Sequence, residues 1–257
     1  MIVKRIYMFG EGTKEQKNLL GGKGANLSEM KSLGVPVPAG FTITTEMCTE
    51  YYKNGAKNSP ELLADLKEYV GKLEKETGKE FGSHSNPLLV SVRSGARVSM
   101  PGMMDTILNL GLTDETVEAM VEKTGNPKFV YDIYRRFIQM FAEVVQGVEY
   151  DLFDSVIEKI KEDNGYKLDL EMTADDWKAV SDEFLEIVKR ETGAPFPQDP
   201  QQQLEMAVNA VFESWDTPRA RVYRNHNNID HTWGTAVNVQ EMVFGNMGED
   251  SGTGVLF

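Results

Sequence analysis

The sequence has little of several residue types, and each shortage excludes a class of site. Its only cysteine is Cys48, which excludes an intrachain disulfide and any zinc or iron–sulfur site built from several cysteines. The only histidines are His84, His226 and His231, and none has neighbouring residues at a metal-ligand spacing. We therefore expect Cys48 to be a small packing residue, and we expect the protein to work in a reducing, cytoplasmic compartment.

Long hydrophobic runs and an excess of positive charge are also missing. No stretch reaches about 18 consecutive apolar residues, and residues 1–10 have no long apolar core after their charges, so neither export nor a membrane span is predicted. Lysine and arginine total 27 against 40 aspartates and glutamates, a formal charge of -13 that repels nucleic acids and anionic membranes. A phosphate ligand would need a local cluster of basic residues.

Residues 91–106 are the most informative segment of the chain. They contain Arg93 and Arg97, four hydroxyl side chains and two glycines, between two short apolar runs. A guanidinium offers a planar set of donors that matches phosphate oxygens, and glycine lets backbone N–H groups approach a ligand closely. This composition predicts a polyanion-binding loop. The alternative is a solvated turn between two strands.

A second segment, residues 19–33, places Lys23 among three closely spaced glycines. Leu27, Met30 and Leu33 follow at the spacing of a helix face, so Lys23 would lie at the start of a helix. Helix N-termini carry free N–H groups and a positive dipole end, which suits an anion. The segment is not a Walker loop, because Gly-Ala follows the lysine. The alternative is that the glycines only allow close packing of a helix against a strand.

Along the chain, strand and helix signals divide into regions. Short apolar or β-branched runs beside glycine or proline predict strands at residues 2–9, 40–44, 87–92, 106–110 and 235–244. Ser59 and Pro60 predict the start of a helix that runs to about Lys75. Helix-forming residues dominate residues 113–190, and Thr173 suits a capping box there.

These signals predict an α+β fold in two subdomains. Residues 1–112 and 198–257 would form a mixed α/β subdomain with a mixed sheet, and residues 113–197 a helical insertion. A turn at Gly245-Asn246 would lead into a further strand that begins at Val255, so we expect the chain to stop before its sheet is complete.

Taken together, these segments resemble the amino-terminal, nucleotide-binding part of the pyruvate, phosphate dikinase family. The resemblance covers essentially the whole chain. Related phosphoenolpyruvate synthases share Lys23, the Ser-Val-Arg-Ser sequence at residues 91–94 and Gln240. They differ in the rest of the loop that contains Arg93, which makes the resemblance specific to dikinases. The matching motifs are Gly-Gly-Lys-Gly around Lys23 and residues 35–41, 91–97, 100–112, 134–137, 214–215 and 239–242.

The resemblance implies an ATP-grasp-like fold in which ATP lies between the α/β subdomain and a lid subdomain that is largely missing from this chain. Lys23 and Arg93 would hold phosphate oxygens. Gly102 and Thr106 match positions that reach the phosphates through backbone and hydroxyl groups.

At the other end of the nucleotide, the resemblance places Gln240 beside the adenine. Met242 and Val243 would form a hinge whose backbone meets the edge of the base.

Three further arginines are weaker candidates for ATP contact. Arg97 would either bind phosphate or brace its loop by pairing with an acid. Arg135 and Arg136 match a family arginine near the nucleotide cleft, but charged residues on a helix usually form a solvated or salt-bridged face. Asp105 would orient the loop or a metal-bound water, or would form a structural hydrogen bond.

The resemblance also implies a reaction and its partners. Enzymes of the family are phosphotransferases that convert ATP, phosphate and pyruvate into AMP, diphosphate and phosphoenolpyruvate. The phosphate passes through a histidine on a separate domain to pyruvate in a barrel domain, with magnesium ligands expected beyond Phe257. We therefore expect this chain to be an ATP-binding portion that is inactive alone. The alternative is a stand-alone nucleotide-binding or docking module, which could form a homodimer through its carboxy-terminal strand.

Overall fold

The computed structural model describes residues 4–248 and 250–255. These residues form an α+β fold, as predicted, in which helices surround one five-stranded sheet. The sheet has the order β1-β2-β5-β3-β4, and its four pairings are all antiparallel. The prediction of a mixed sheet is therefore wrong, because an apolar pattern along a strand does not specify the direction of its neighbours. The strands are β1 Ile6–Met8, β2 Gly40–Ile43, β3 Val90–Ala96, β4 Thr106–Leu110 and β5 Thr235–Glu241.

The helices agree closely with their sequence signals. Ser59 caps the helix that begins at Pro60 by accepting a hydrogen bond from the Leu62 N–H. Thr173 forms the predicted capping box with Asp176 at the start of the helix that begins at Ala174. A π-helical turn at Ala142–Gln146 follows α5. The helices are α1 Lys17–Ser32, α2 Thr45–Lys53, α3 Pro60–Thr77, α4 Asp114–Thr124, α5 Pro127–Phe141, α6 Tyr150–Asn164, α7 Ala174–Thr192, α8 Pro200–Ser214 and α9 Pro218–His226.

The middle of the sheet has one polar face. Residues directly opposite each other on neighbouring strands project to the same side. Asn238 on β5 lies opposite Thr42 on β2 and Arg93 on β3, and Arg93 lies opposite Thr106 on β4. The helix α1 packs against β2, β3 and β5. The sheet therefore gathers polar groups from four strands beside one helix.

Several strand predictions differ from the structure at their ends: the strand predicted at 235–244 ends at Glu241, and the strand predicted at 40–44 ends at Ile43. The strand predicted at 87–92 begins only at Val90, because the Leu88 N–H donates to the Glu80 carbonyl, 2.8 Å away, instead of to the sheet. The strand predicted at 2–9 is β1, and residues 2 and 3 lie outside the described residues.

The hairpin predicted after β5 is not found in the described part of the chain. A turn forms at Gly245-Asn246, but residues 250–255 form no strand, and Leu256 and Phe257 lie outside the described residues. Both sides of β5 are already occupied, by β2 and β3. The expectation that the sheet is left incomplete at the end of the chain stays a prediction, because two residues of the expected strand lie outside the described ones.

One hydrophobic cluster runs through both predicted subdomains. It includes Val92 and Val239 of the sheet as well as Phe137 and Phe184 of the helical region. In addition, β4 packs against α5. The division of the chain into an α/β subdomain and a helical subdomain at residues 113–197 stays a prediction. Among the described residues, no helix is both long enough and apolar enough to cross a membrane.

Candidate functional site

The glycines around Lys23 allow α1 to lie very close to the sheet. Gly21 interrupts the helix with a φ of 68°, a conformation that favours glycine. A Cβ at Gly21 would be 1.7 Å from the Gly95 carbonyl oxygen, and one at Gly24 would be 2.6 Å from the Thr42 hydroxyl oxygen. The close-packing alternative is therefore confirmed for these two glycines. This close packing also places the positive charge of Lys23, which lies between the two glycines, beside β3.

Lys23 and Arg93 lie in one positively charged region. The Lys23 Nζ donates a hydrogen bond to the carbonyl oxygen of Ser94, which is 3.1 Å away and 71 positions further along the chain. Burial lowers the pKa of Lys23, and the positive charge of Arg93 lowers it further. Burial also lowers the pKa of Arg93. In the part of the chain that the structure describes, no carboxylate contributes to either pKa shift, so the pair has no counter-charge there.

The other residues predicted to reach the phosphates lie beside this pair. Thr106 is directly opposite Arg93 in the sheet. Gly102 lies in the exposed loop between β3 and β4, has a φ of 71°, and has open space where a side chain would be. Asp105 of the same loop forms an ion pair with Arg219, which is the structural alternative for this residue. Burial raises the pKa of Asp105, and Arg219 partly offsets that effect.

At the end of β5, the chain lines a largely apolar cavity of about 450 Å³. Met242 and Val243, the predicted hinge, both lie in its wall. The Met242 N–H already donates to the Leu89 carbonyl, at 2.9 Å, so a base could use only the other backbone groups of the hinge. The full lining is Lys79, Pro87, Leu89, Met120, Lys123, Thr124, Met242, Val243, Phe244 and Met247.

Gln240 lies between this cavity and the two cations. It is 8% exposed, is opposite Ser91 and Gly40 in the sheet, and donates to the Pro38 carbonyl at 3.3 Å. Along β5, the step from Asn238, which faces Arg93, to Met242 is roughly 13 Å at the usual rise per strand residue. One strand thus connects a basic region to an apolar cavity over the length of an extended nucleotide.

Residues 17–61 and 58–257 match the family described as pyruvate phosphate dikinase, AMP/ATP-binding domain. The chain belongs to this family. The match confirms the resemblance that the sequence motifs indicate.

Individual relatives of the dikinase family show the same relationship. The chain is 56% identical, over 100% of its length, to pyruvate, phosphate dikinase of Clostridium symbiosum, of which it covers 29%. It is 53% identical over 99% of its length to the chloroplastic enzyme of Flaveria pringlei, covering 27%. For the Giardia intestinalis enzyme the identity is 52% over 100% of the chain, covering 30%. The chain thus spans less than a third of these dikinases.

The two arginines of α5 have partners of their own. Arg135 is 5% exposed, forms an ion pair with Asp132 at 2.8 Å and lies 4.3 Å from the centre of the Trp177 ring. Arg136 is more exposed and pairs with the same aspartate at 3.0 Å. The salt-bridged alternative is confirmed for both arginines. Their contact with ATP stays a prediction.

Sequence reasoning missed most of the apolar cavity. Lys79, Leu89, Met120 and Phe244 belong to three different elements or loops, and no motif connects them. One available signal was Glu241, an acid at the end of an otherwise uncharged strand, which pairs with Lys79 at 2.7 Å and fixes that lysine in the cavity wall.

Magnesium, which the resemblance implies, has no evident ligand set in this part of the dikinase family fold. Within residues 4–248 and 250–255, no group of three or more histidine, cysteine, aspartate or glutamate side chains could hold a metal ion. The nearest acid to the phosphate region, Asp105, is engaged by Arg219. The described residues therefore do not fit a metal site.

Proposed function

We propose that this chain binds ATP, with the triphosphate on Lys23 and Arg93 and the adenine in the cavity beside Met242. The single observation that carries the proposal is that Lys23, held 3.1 Å from the Ser94 carbonyl oxygen, lies beside Arg93, with no counter-charge for the pair among the described residues. A polyphosphate would supply that charge and accept charge-assisted hydrogen bonds from both side chains. The family to which the chain belongs is itself described by AMP and ATP binding.

The two ends of the proposed site have different chemistry. The cavity wall supplies methionine, leucine and phenylalanine side chains, which suit the flat apolar faces of a purine. Gln240 and the hinge backbone would fix the edge of the base. The hydroxyl of Thr106 and the backbone of Gly102 would add uncharged donors around the phosphates. ATP bound in this way lies along β5, with its phosphates beside the β3–β4 loop.

For the whole protein, we propose the dikinase reaction of the relatives. Phosphoryl transfer depends mainly on positioning and on stabilising charge, and Lys23 with Arg93 would do both for the phosphates. The acceptor histidine and the pyruvate site would belong to other domains, and an ATP-grasp-like lid would cover the nucleotide. This chain alone would therefore bind ATP without consuming it in a pyruvate-dependent reaction. A cytoplasmic location belongs to the same proposal.

The competing docking module depends on a carboxy-terminal strand that begins at Val255, and residues 250–255 form no strand. This module, and a homodimer through its carboxy-terminal strand, stay predictions.

The test is calorimetric titration of the chain with ATP. Because a hydrogen bond to a charged group contributes about 1.5–3 kcal/mol, Arg93→Met and Lys23→Met should each weaken ATP binding by roughly 10- to 100-fold. Lys67→Met is the matched control, since Lys67 is an exposed lysine on α3. It should bind ATP like the unaltered protein. Equal ATP affinity in all four proteins, or no binding by the unaltered chain, would reject the proposed site.

A further inference from the structure

A second cavity lies at the opposite end of β5 from the proposed adenine cavity. It has a volume of about 690 Å³, several times that of a single small ion. Gly234, which precedes β5, passes so close to α2 that a Cβ would be 3.1 Å from the Thr45 carbonyl oxygen. The cavity is lined by Thr45, Glu46, Thr49, Tyr52, Lys53, Arg97, Trp215, Asp216, His231, Thr232, Trp233 and Gly234.

Three aromatic side chains give this cavity its apolar surface. The Trp215 ring N–H donates to the His231 carbonyl at 3.0 Å, and the Tyr52 hydroxyl donates to the Phe212 carbonyl at 2.8 Å. Their polar atoms are thus satisfied within the protein. Because Trp215 is only 3% exposed, the ring surface open to a ligand comes mainly from Tyr52 and from Trp233. Trp233, the third, lies under the Arg97 guanidinium, 5.3 Å from the ring centre to the guanidinium carbon.

Arg97 is the cation of this cavity that lacks a partner. Its Nε is buried and has no hydrogen-bond acceptor among the described residues. Burial lowers the pKa of Arg97, although Asp230 and Glu46 act in the opposite direction. Lys53, also in the lining, is exposed. The guanidinium therefore combines an incompletely compensated charge with a stacked aromatic ring.

The acids near the cavity are committed elsewhere or exposed. Asp216 accepts a hydrogen bond from Arg221 at 2.7 Å and lies 3.6 Å from the buried Arg224. The Asp230 carboxylate accepts from the Thr232 N–H at 2.8 Å. Glu46 is exposed at the start of α2. Neither aspartate forms an ion pair with Arg97.

His231 adds no positive charge in this arrangement. The Arg224 Nε, which can only donate, lies 3.0 Å from the His231 Nδ1. The Nδ1 is therefore the acceptor, and the proton is on Nε2, which donates to the Asn225 side-chain oxygen at 2.8 Å. This neutral ring keeps Arg224 in place behind Trp215, whose ring it stacks on at 4.2 Å.

We infer that this cavity binds a small anion that carries a planar apolar group, the class of aromatic phosphates and carboxylates. Arg97 donates to the anionic group, and the accessible rings of Trp233 and Tyr52 contact the planar group. The volume is too large for a bare anion, and an uncharged ring would leave the guanidinium without an acceptor. The inference goes beyond the proposed function, because it places Arg97 in a site separate from that of the ATP phosphates.

The test uses phenyl phosphate as the probe on the whole chain. Trp215 and Trp233 line the cavity, whereas the third tryptophan, Trp177 of α7, packs under Arg135 of α5. Phenyl phosphate should give a saturable change in tryptophan fluorescence. Calorimetry should show binding that Arg97→Met weakens at least about tenfold, through loss of a charge-assisted hydrogen bond. Inorganic phosphate should bind at least about tenfold more weakly than phenyl phosphate, since it lacks the ring.

Arg93→Met is the matched control and separates this inference from the proposed function. Arg93→Met should bind phenyl phosphate normally and bind ATP roughly 10- to 100-fold more weakly. Arg97→Met should bind ATP normally and bind phenyl phosphate more weakly. Loss of phenyl phosphate binding in Arg93→Met would mean that the probe occupies the ATP site and would overturn the inference. So would unchanged affinity in Arg97→Met, or equal affinity for inorganic phosphate. Should Arg97→Met fail to fold, Trp233→Ala replaces it, with the same expected loss. If the chain failed to bind ATP but bound phenyl phosphate as expected, only the proposed function would be overturned.

Discussion

At the scale of single residues, Lys23 and Arg93 are like charges that the fold holds close together, and no acid in residues 4–248 or 250–255 compensates them. Backbone geometry keeps them in place: Lys23 donates to the Ser94 carbonyl, and Arg93 extends from β3, which is flanked by β4 and β5. Burial lowers the pKa of both side chains, and repulsion by Arg93 lowers the pKa of Lys23 further. A bound polyphosphate would relieve that repulsion, so the pair is prepared for an anion.

The lowered pKa of Lys23 predicts a pH dependence of ATP affinity. Phosphate next to the ammonium raises its pKa again, so ATP binding is accompanied by proton uptake once the free protein begins to lose that proton. Affinity should therefore fall as pH rises through the lowered pKa of Lys23. Calorimetric titration at several pH values, in buffers of different ionisation enthalpy, measures both the affinity and the proton uptake.

The Lys23→Arg variant is the control for this pH dependence. A guanidinium stays charged over the whole alkaline range, so its ATP affinity should be nearly flat there. A parallel fall of affinity in Lys23→Arg and in the unaltered protein would assign the effect to another group.

At the scale of elements, the kink of α1 at Gly21 is what brings Lys23 to β3. The helix runs past β3 so closely that the Gly95 carbonyl occupies the place of a side chain. Backbone atoms of a sheet cannot rotate away as a flexible side chain can. The position therefore depends on glycine for two reasons, its positive φ and the contact.

Gly21→Ala should separate these two effects from each other when it is compared with Gly34→Ala. Gly34, just beyond the same helix, also has a positive φ, of 81°, but a Cβ added there would have no heavy atom within 4 Å. Gly34→Ala should cost about 1–2 kcal/mol of unfolding free energy, the strain of the left-handed conformation. Gly21→Ala should cost several kcal/mol more and should also weaken ATP binding. Urea unfolding measures the free energy of unfolding, and calorimetric titration measures the ATP affinity.

Equal costs for the two alanine variants would contradict the close approach of α1 to β3. Normal ATP affinity in a folded Gly21→Ala protein would show that the position of Lys23 does not depend on the kink.

The elements also show which parts of the fold the sequence could predict. The bounds of α3 and the capping box of α7 follow from local chemistry, so Ser59 and Thr173 were sufficient signals. The neighbours of β5 depend on pairing between distant segments, and the local turn at Gly245 suggested a hairpin that the described residues do not form. In the site, Lys23 and Arg93 lie in motifs, whereas Leu89 and Met120 meet only through folding.

At the scale of the whole molecule, the two cavities lie at opposite ends of β5, and the basic pair lies between them. A central strand with neighbours on both sides is the part of a sheet that opens least. Both proposed sites are thus fixed to the same rigid element, with loops and α2 or α4 completing their walls. Binding at either end should therefore leave the other site formed.

The continuous apolar cluster predicts that the sheet and the helical region unfold together. Phe137 on α5 and Phe184 on α7 belong to the same cluster as Val92 on β3, and β4 packs against α5. Native-state hydrogen exchange, followed by mass spectrometry in increasing urea, should give the slowest amides of α7 and of β5 the same opening free energy, within about 1 kcal/mol. The unaltered protein is used, so no substitution disturbs the comparison. If the slowest amides of α7 opened at a free energy several kcal/mol lower than those of β5, residues 113–197 would be an independent folding unit, and the shared cluster would not couple it to the ATP site.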